Sequence, residues 1–178
     1  MQEAVNSNSI LKILEGRVFE HAVIHTRDIN FSPELRKACE RNICGKYNKC
    51  WTCPPAIGPM EKQQKKILSF SKAFIFTTKG DLEDSFDYEG MTKTGDDHRR
   101  ISAEMHERFG RTNPVFGAGG CRICEACAYP EACRFPDKTF SSIEAAGINV
   151  TELSRTGGIH YNNGENTVTY FSMILFDE

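Results

Sequence analysis

Ala73-Phe74-Ile75-Phe76-Thr77-Thr78 is the stretch whose reading decides the fold. It is a short run of β-branched and aromatic residues with no breaker, which reads as a buried strand. Near the other end of the chain, 167–176 alternates through Val168 and Tyr170 into a dense apolar end and reads as a second sheet strand. Shorter strand patterns occur at 19–29, 114–116 and 148–153. Helices are expected between them. One spans 1–16, with Ile10, Ile13 and Leu14 on one face, Asn8 or Ser9 as cap and Gly16 as stop. Ser32 as N-cap and Pro33 at the first position open another, which carries Cys39. A third spans 61–71. A fourth starts at Asp96-Asp97-His98, whose acidic residues suit a helix dipole, and continues through 99–109 with Ile101, Met105 and Phe109 on one stripe. Ser141-Ser142-Ile143-Glu144 carries a capping box for a short helix ending at Gly147. The polar segment 80–97, with three glycines, reads as a surface excursion or lid, and Gly157-Gly158 and Asn162-Asn163-Gly164 as turns. The expected fold is α+β or α/β. It is one layered mixed sheet with packed helices, in a single domain over 1–178, with cysteine-rich loops at one edge.

The chain has 178 residues and a net charge of -2. A chain of this length buries a real core, so metal is not needed to make up for a small one. The mixed charges give no case for nucleic acid or an anionic membrane. The first residues lack a basic region followed by an apolar one, and the longest apolar run, Met173-Ile174-Leu175-Phe176, is far too short to span a bilayer. The expected location is the cytoplasm. In that reducing compartment the eight cysteines are expected to be metal ligands or redox groups rather than disulfides.

Their spacing supports this. Cys121-Arg-Ile-Cys124-Glu-Ala-Cys127 places three thiols three residues apart, and Cys133 follows. Packing cysteines follow helix or strand periodicity, and these fit neither. A tight turn lets such thiolates converge on a metal centre. Gly117-Ala118-Gly119-Gly120 leads directly into the run. It does not open a helix and is not a dinucleotide fingerprint. Gly119 and Gly120 would let the backbone approach an inorganic centre, so that amide N–H groups reach its sulfurs. A second group, Cys39, Cys44, Cys50 and Cys53, runs into Pro54-Pro55 and Ile57-Gly58-Pro59 and reads as a rigid extended loop over 39–53. Trp51, inside its Cys50–Cys53 pair, is placed to keep water from a cluster, a role compatible with ordinary core packing.

Eight thiolates at four per site make two sites. Zinc in structural sites takes paired C-x₂-C knuckles, whereas iron–sulfur clusters take runs such as C-x₂-C-x₂-C with a fourth cysteine elsewhere. The 121–133 loop matches the second pattern, with Cys133 or Cys53 as its fourth ligand. The 39–53 group suits a [4Fe–4S] cluster, a [2Fe–2S] cluster or zinc. An all-thiolate set excludes magnesium and calcium.

The set Cys44, Trp51-Thr52-Cys53-Pro54-Pro55-x-x-Gly58, Gly119-Gly120-Cys121-x-x-Cys124-x-x-Cys127, Cys133-Arg134-x-Pro136 and Ser142-x-Glu144-Ala145-x-Gly147-Ile148-x-Val150 resembles the DUF2284 family of predicted metal-binding proteins. The resemblance covers roughly 35–160. It implies a cysteine-rich iron–sulfur protein of prokaryotic, anaerobic type, with Cys44, Cys53, Cys121, Cys124, Cys127 and Cys133 as ligands. Cys39 and Cys50 stand where such proteins also place cysteines. The resemblance leaves the reaction open.

No Ser-His-Asp order, P-loop or H-E-x-x-H is present. His21 and His25 read as structural or solvent-facing. His98, Glu104, His106 and Glu107 share one helix, where a solvated face accounts for the glutamates. Three functions stand. One is an iron–sulfur protein, most simply with two [4Fe–4S] clusters, that transfers electrons or serves as a redox accessory to a partner protein or small molecule. The second is a zinc-stabilised binding or scaffold module. The third is a cluster-dependent enzyme with an open iron.

Overall fold

β2 (Lys72–Asp81) and β4 (Thr167–Phe176) pair antiparallel along their whole length, from Lys72 opposite Phe176 to Asp81 opposite Thr167. β1 (His21–His25) adds to the free side of β2, and the two-residue β3 (Val115–Phe116) adds to β4. The computed structural model describes residues 5–178. Its sheet has the order β1-β2-β4-β3. The fold is α+β. All the ladders are antiparallel, where a mixed sheet was expected.

Side chains of a strand alternate between faces, and here both faces are covered. Ala73 and Ile75 of β2 and Phe171, Met173 and Leu175 of β4 pack with Ile67, Ile143, Ile148 and Leu153. These come from α3 (Met60–Leu68), the 143–148 segment and α5 (Val150–Gly157). Phe74, Phe76, Ile174 and Phe176 face the other way, against Ile10 and Leu14 of α1 (Ser7–Leu14) and Met105 of α4 (Tyr88–Phe109). Double burial explains why the central strands are apolar in consecutive positions although the sheet is antiparallel. Truncating a phenylalanine buried this way to alanine costs about 3–5 kcal/mol. α2 (Pro33–Glu40) has no buried residue and is tied down at Arg36, whose guanidinium donates to the carbonyls of Ala145 and Gly58. No helix among the described residues is long and apolar enough to cross a membrane.

The chain between Lys79 and Asp97 is not an excursion. β2 continues to Asp81, and α4 begins at Tyr88 with Asp87 as its cap, accepting from the Gly90 amide at 2.8 Å. Asp96, Asp97 and His98 are therefore mid-helix. The glycines that suggested a loop serve close packing instead. A Cβ on Gly95 would lie 3.0 Å from the Tyr170 ring, and the Tyr170 hydroxyl donates to the Met91 carbonyl at 2.9 Å. The strand expected over 148–153 is also corrected. Asn149 accepts from the Thr151 and Glu152 amides and so starts α5, leaving Ile148 a lone bridge to Phe31. A strong N-cap overrides the β-branched pattern there. The strand at 19–29 contracts to His21–His25, followed by a 3-10 turn over Thr26–Asp28. The helix at 141–147 is one 3-10 turn, Glu144–Ala146, with Gly147 left-handed at φ +87°. Asn6 caps α1, with Ser9 closing its capping box; the first four residues of the expected 1–16 helix lie outside the described residues. Pro33 stands at the start of α2 as expected, but the Ser32 side chain makes no capping bond.

His98 points from α4 into the sheet and is 1% exposed. Its Nε2 meets Ser172 Oγ at 2.8 Å, its Nδ1 meets Thr78 Oγ1 at 2.9 Å, and Ser102 Oγ bridges Ser172 and the His98 carbonyl. Burial pushes its pKa down to about 4, against a small opposing effect of the Phe171 backbone. Between its ordinary value near 6.5 and about 4, the unfolded chain takes up a proton that the folded chain refuses. The stabilisation is thus full above 6.5 and is lost as the pH falls toward 4. The expected loss is on the order of 1.4 kcal/mol per pH unit within that window. Denaturant unfolding at pH 7 and pH 5 checks it: His98→Gln should be less stable at pH 7 and show a smaller drop to pH 5, and equal drops would remove His98 as the cause.

Candidate metal centre

The two cysteine groups lie on loops set against each other. The first begins where α2 ends. Cys39 is in its last turn, and the chain then folds through tight turns with Asn42, Gly45 and Asn48 at positive φ. Asn42 and Asn48 tolerate that backbone because a short amide bonds locally; Asn42 Oδ1 accepts from the Tyr47 amide at 2.9 Å. Cys50 and Cys53 close the loop on either side of Trp51 and Thr52 and are 1% and 8% exposed, whereas Cys44 is exposed. The second loop leaves the sheet at Phe116 and comes back beside Gly117 at Ser141. Its neck is closed by two backbone bonds, Gly117 N–H to the Ser141 carbonyl at 2.9 Å and Ile143 N–H to the Gly117 carbonyl at 3.0 Å. Phe140 lies over Gly117, where a Cβ would come within 2.6 Å of its ring. The 121–133 segment has no helix or strand. Each loop contains a cis X-Pro bond, Pro54-Pro55 and Tyr129-Pro130.

Polar contacts join the loops. Thr52 Oγ1 accepts from the Cys121 amide at 3.3 Å and touches Cys50 Sγ at 3.3 Å. Trp51 Nε1 donates to the Glu131 carbonyl at 2.7 Å, and its ring meets Tyr129 edge-on, 5.0 Å between centroids. The Tyr129 hydroxyl donates to Asn48 Oδ1 at 3.0 Å. Gly120 runs beside Cys53: a Cβ there would lie 3.5 Å from Cys53 Sγ and 3.1 Å from Lys46 Cγ. Gly119 has φ +68°. The glycine run therefore packs closely against the first loop.

Cys121, Cys124, Cys127 and Cys133 line one small pocket together with Cys50, Trp51 and Thr52. Cys133, the local alternative, belongs to that lining; Cys53 does not. Cys53 lies against Cys50 and within electrostatic reach of Cys44, which also interacts with Cys39. Cys50 is the point where the two groups meet: it lies beside Cys53 and also lines the pocket of the second group. All eight are free of disulfides.

Backbone amides aim at these sulfurs. The Thr52 and Cys121 amides lie near Cys50 and help hold its pKa down, and the Ile123 amide pulls Cys121 the same way against burial. Such bonds favour thiolate, the form that ligates metal. The Cys53 thiol, donating to Cys50 sulfur, lowers the Cys50 pKa and raises its own. Burial raises Cys39, against the pull of Arg36, and raises Cys121, against the Ile123 amide. Of Cys39, Cys50, Cys53 and Cys121, only Cys50 is held toward thiolate before metal binds; an all-sulfur donor set fits a thiophilic metal, whose own charge would draw the remaining thiols into thiolate form. Among the described residues no three Cys, His, Asp or Glu side chains gather at the spacing of one ion, so the thiols line their pocket rather than meet at a point.

The histidines and glutamates of the sequence reading are not part of this centre. His21 stacks on Phe74 at 5.5 Å, and His25 ends β1 opposite Lys72. His98 is locked in the core. Glu104 is paired with Arg17 at 2.7 Å and Arg108 at 3.1 Å, and His106 bonds the Asp137 carbonyl at 3.1 Å. Sequence reasoning missed Thr52 and Tyr129 as the residues that join the loops. Thr52 had a signal, a hydroxyl enclosed in a C-x₂-C pair; Tyr129 had none.

An α+β chain with its thiols gathered on two interlocked loops defines a cysteine-rich metal-binding protein. Residues 22–176 match the family model described as predicted metal-binding protein (DUF2284), and the chain belongs to that family. No curated protein and no solved structure matches it.

Removing the Thr52 hydroxyl while keeping its shape leaves the Cys121 amide without its oxygen acceptor. Thr52→Val is expected to cost about 1–2 kcal/mol in unfolding free energy and to lower bound metal per chain, while Thr52→Ser keeps both. Thermal melts and metal analysis of the two variants check this.

Proposed function

We propose that this protein is an iron–sulfur protein with two clusters, [4Fe–4S] in type, and that it carries electrons to or from a redox partner. Cys121, Cys124, Cys127 and Cys133 would hold one cluster and Cys39, Cys44, Cys50 and Cys53 the other. The observation that carries this reading is that the C-x₂-C-x₂-C thiols and Cys133 line a single pocket. The C-x₂-C-x₂-C run followed by a fourth cysteine is the spacing of cluster ligands, whereas structural zinc takes paired C-x₂-C knuckles.

A bound cluster supplies one-electron reduction and oxidation. The chain holds and tunes the site. The Thr52, Cys121 and Ile123 amides direct positive dipole onto sulfur, which lowers the cost of added negative charge. Trp51, pinned to the Glu131 carbonyl, covers the pocket and limits water. The Gly119 and Gly120 amides, which donate to no acceptor among the described residues, are available to sulfur. A reducing compartment such as the cytoplasm suits eight free thiols.

Anaerobic purification followed by iron, zinc and acid-labile sulfide analysis tests the proposal. The expected product is brown, contains iron with matching sulfide, and bleaches on dithionite. Zinc without sulfide would overturn it. In Cys127→Ser about half of the iron should be lost, one site of two; full iron content would refute the ligand assignment.

A further inference from the structure

Cys121 and Ile123 also line a second, much larger concavity. It is a groove of about 760 Å³ between α4, the 118–123 run and the 136–140 segment. That volume lies within the range of about 300–1,000 Å³ usual for small-molecule sites.

The lining is basic, with five Arg and Lys side chains against three carboxylates. One of those carboxylates, Glu104, is already held by Arg17 and Arg108 from outside the groove. Arg100 is paired with Asp97. By Cys121, Arg99 and Arg122 share a single oxygen, Asp96 Oδ1, at 3.2 and 3.4 Å. Two guanidinium charges thus face one carboxylate. Arg99 is fixed in place by its bond to the Ala118 carbonyl at 3.2 Å, which sets its fork beside the glycine run. Arg111 and Lys138 make no ion pair among the described residues.

We propose that this groove binds a small organic anion, a carboxylate or a phosphate ester, with its oxyanion between Arg99 and Arg122 and the rest of the molecule along the groove beside Cys121. Guanidinium forks match the oxygens of both groups, and a walled cleft with an excess of positive charge concentrates the field on its ligand. The site lies against the metal centre whichever metal the cysteines hold.

Calorimetric titration of the metal-loaded protein at low salt tests this with two probes and their neutral counterparts: succinate against succinamide, and glycerol 3-phosphate against glycerol. One anion at least should bind saturably while its neutral counterpart does not, and the stronger of the two names the ligand chemistry. Arg122→Gln and Arg99→Gln should each weaken that binding roughly tenfold or more, with folded circular dichroism and metal content retained. Arg27→Gln, remote on a surface turn, should bind like the parent. Failure of both anions to saturate, equal binding of a neutral counterpart, or parental affinity in both groove variants would overturn the proposal. Binding heat does not depend on the metal being iron, so this outcome is independent of the iron and sulfide analysis.

Discussion

The ten-residue antiparallel ladder between β2 and β4 is the constraint on which the rest of the molecule depends. It is buried on both faces, so it provides one platform for two helical layers, and both core clusters are built on it. β3 is only two residues long. It holds its place because Val115 and Phe116 pair with Ile174 and Met173 of β4 and are themselves buried. That short pairing aims the chain out of the sheet toward Cys121.

Beyond the ladder the stabilising forces change in kind. The cysteine loops have little regular structure and little apolar burial apart from Cys50 and Cys53. They are held by single bonds: the Thr52 hydroxyl, the Trp51 indole, the Tyr129 phenol and amides aimed at sulfur. Each such bond is worth about 0.5–1.5 kcal/mol net. A metal bound in the proposed way adds cross-links within each loop, and its binding free energy goes into ordering the loops rather than the sheet. The core has its own support, so the centre can be sensitive to metal while the fold is not.

Much of this was legible in the sequence. The consecutive apolar residues of Ala73-Phe74-Ile75-Phe76 and Met173-Ile174-Leu175-Phe176 read correctly as strands because double burial writes a signal that periodicity can detect. The cysteine spacing pointed to a metal because thiols three residues apart have no packing explanation, and the family match agrees with that at the level of metal binding. What misled was local chemistry with more than one use. Gly90 and Gly95 read as breakers, and they are close-packing positions where α4 passes its own cap and Tyr170. Asp96 and Asp97 read as a helix start, and they pair with arginines on an exposed helix face. Asn149 is one residue, yet its cap turns a β-branched stretch into α5. The contact of Gly120 with Cys53 and the shared role of Thr52 join segments far apart in the chain, and no local pattern carries that information.

The neck at Gly117, Ser141 and Ile143 has a consequence for how such a protein diversifies. The segment it closes leaves the sheet after Phe116, its two ends are bridged at Gly117 and Ser142 beside Phe140, and no strand of the ladder passes through it. Lengthening a loop already closed at its base costs only about 0.6 kcal/mol per doubling. The 118–140 segment is therefore a cassette: its residues, and with them the ligands and the groove wall, can be exchanged between relatives while the β2–β4 platform beneath is left as it is.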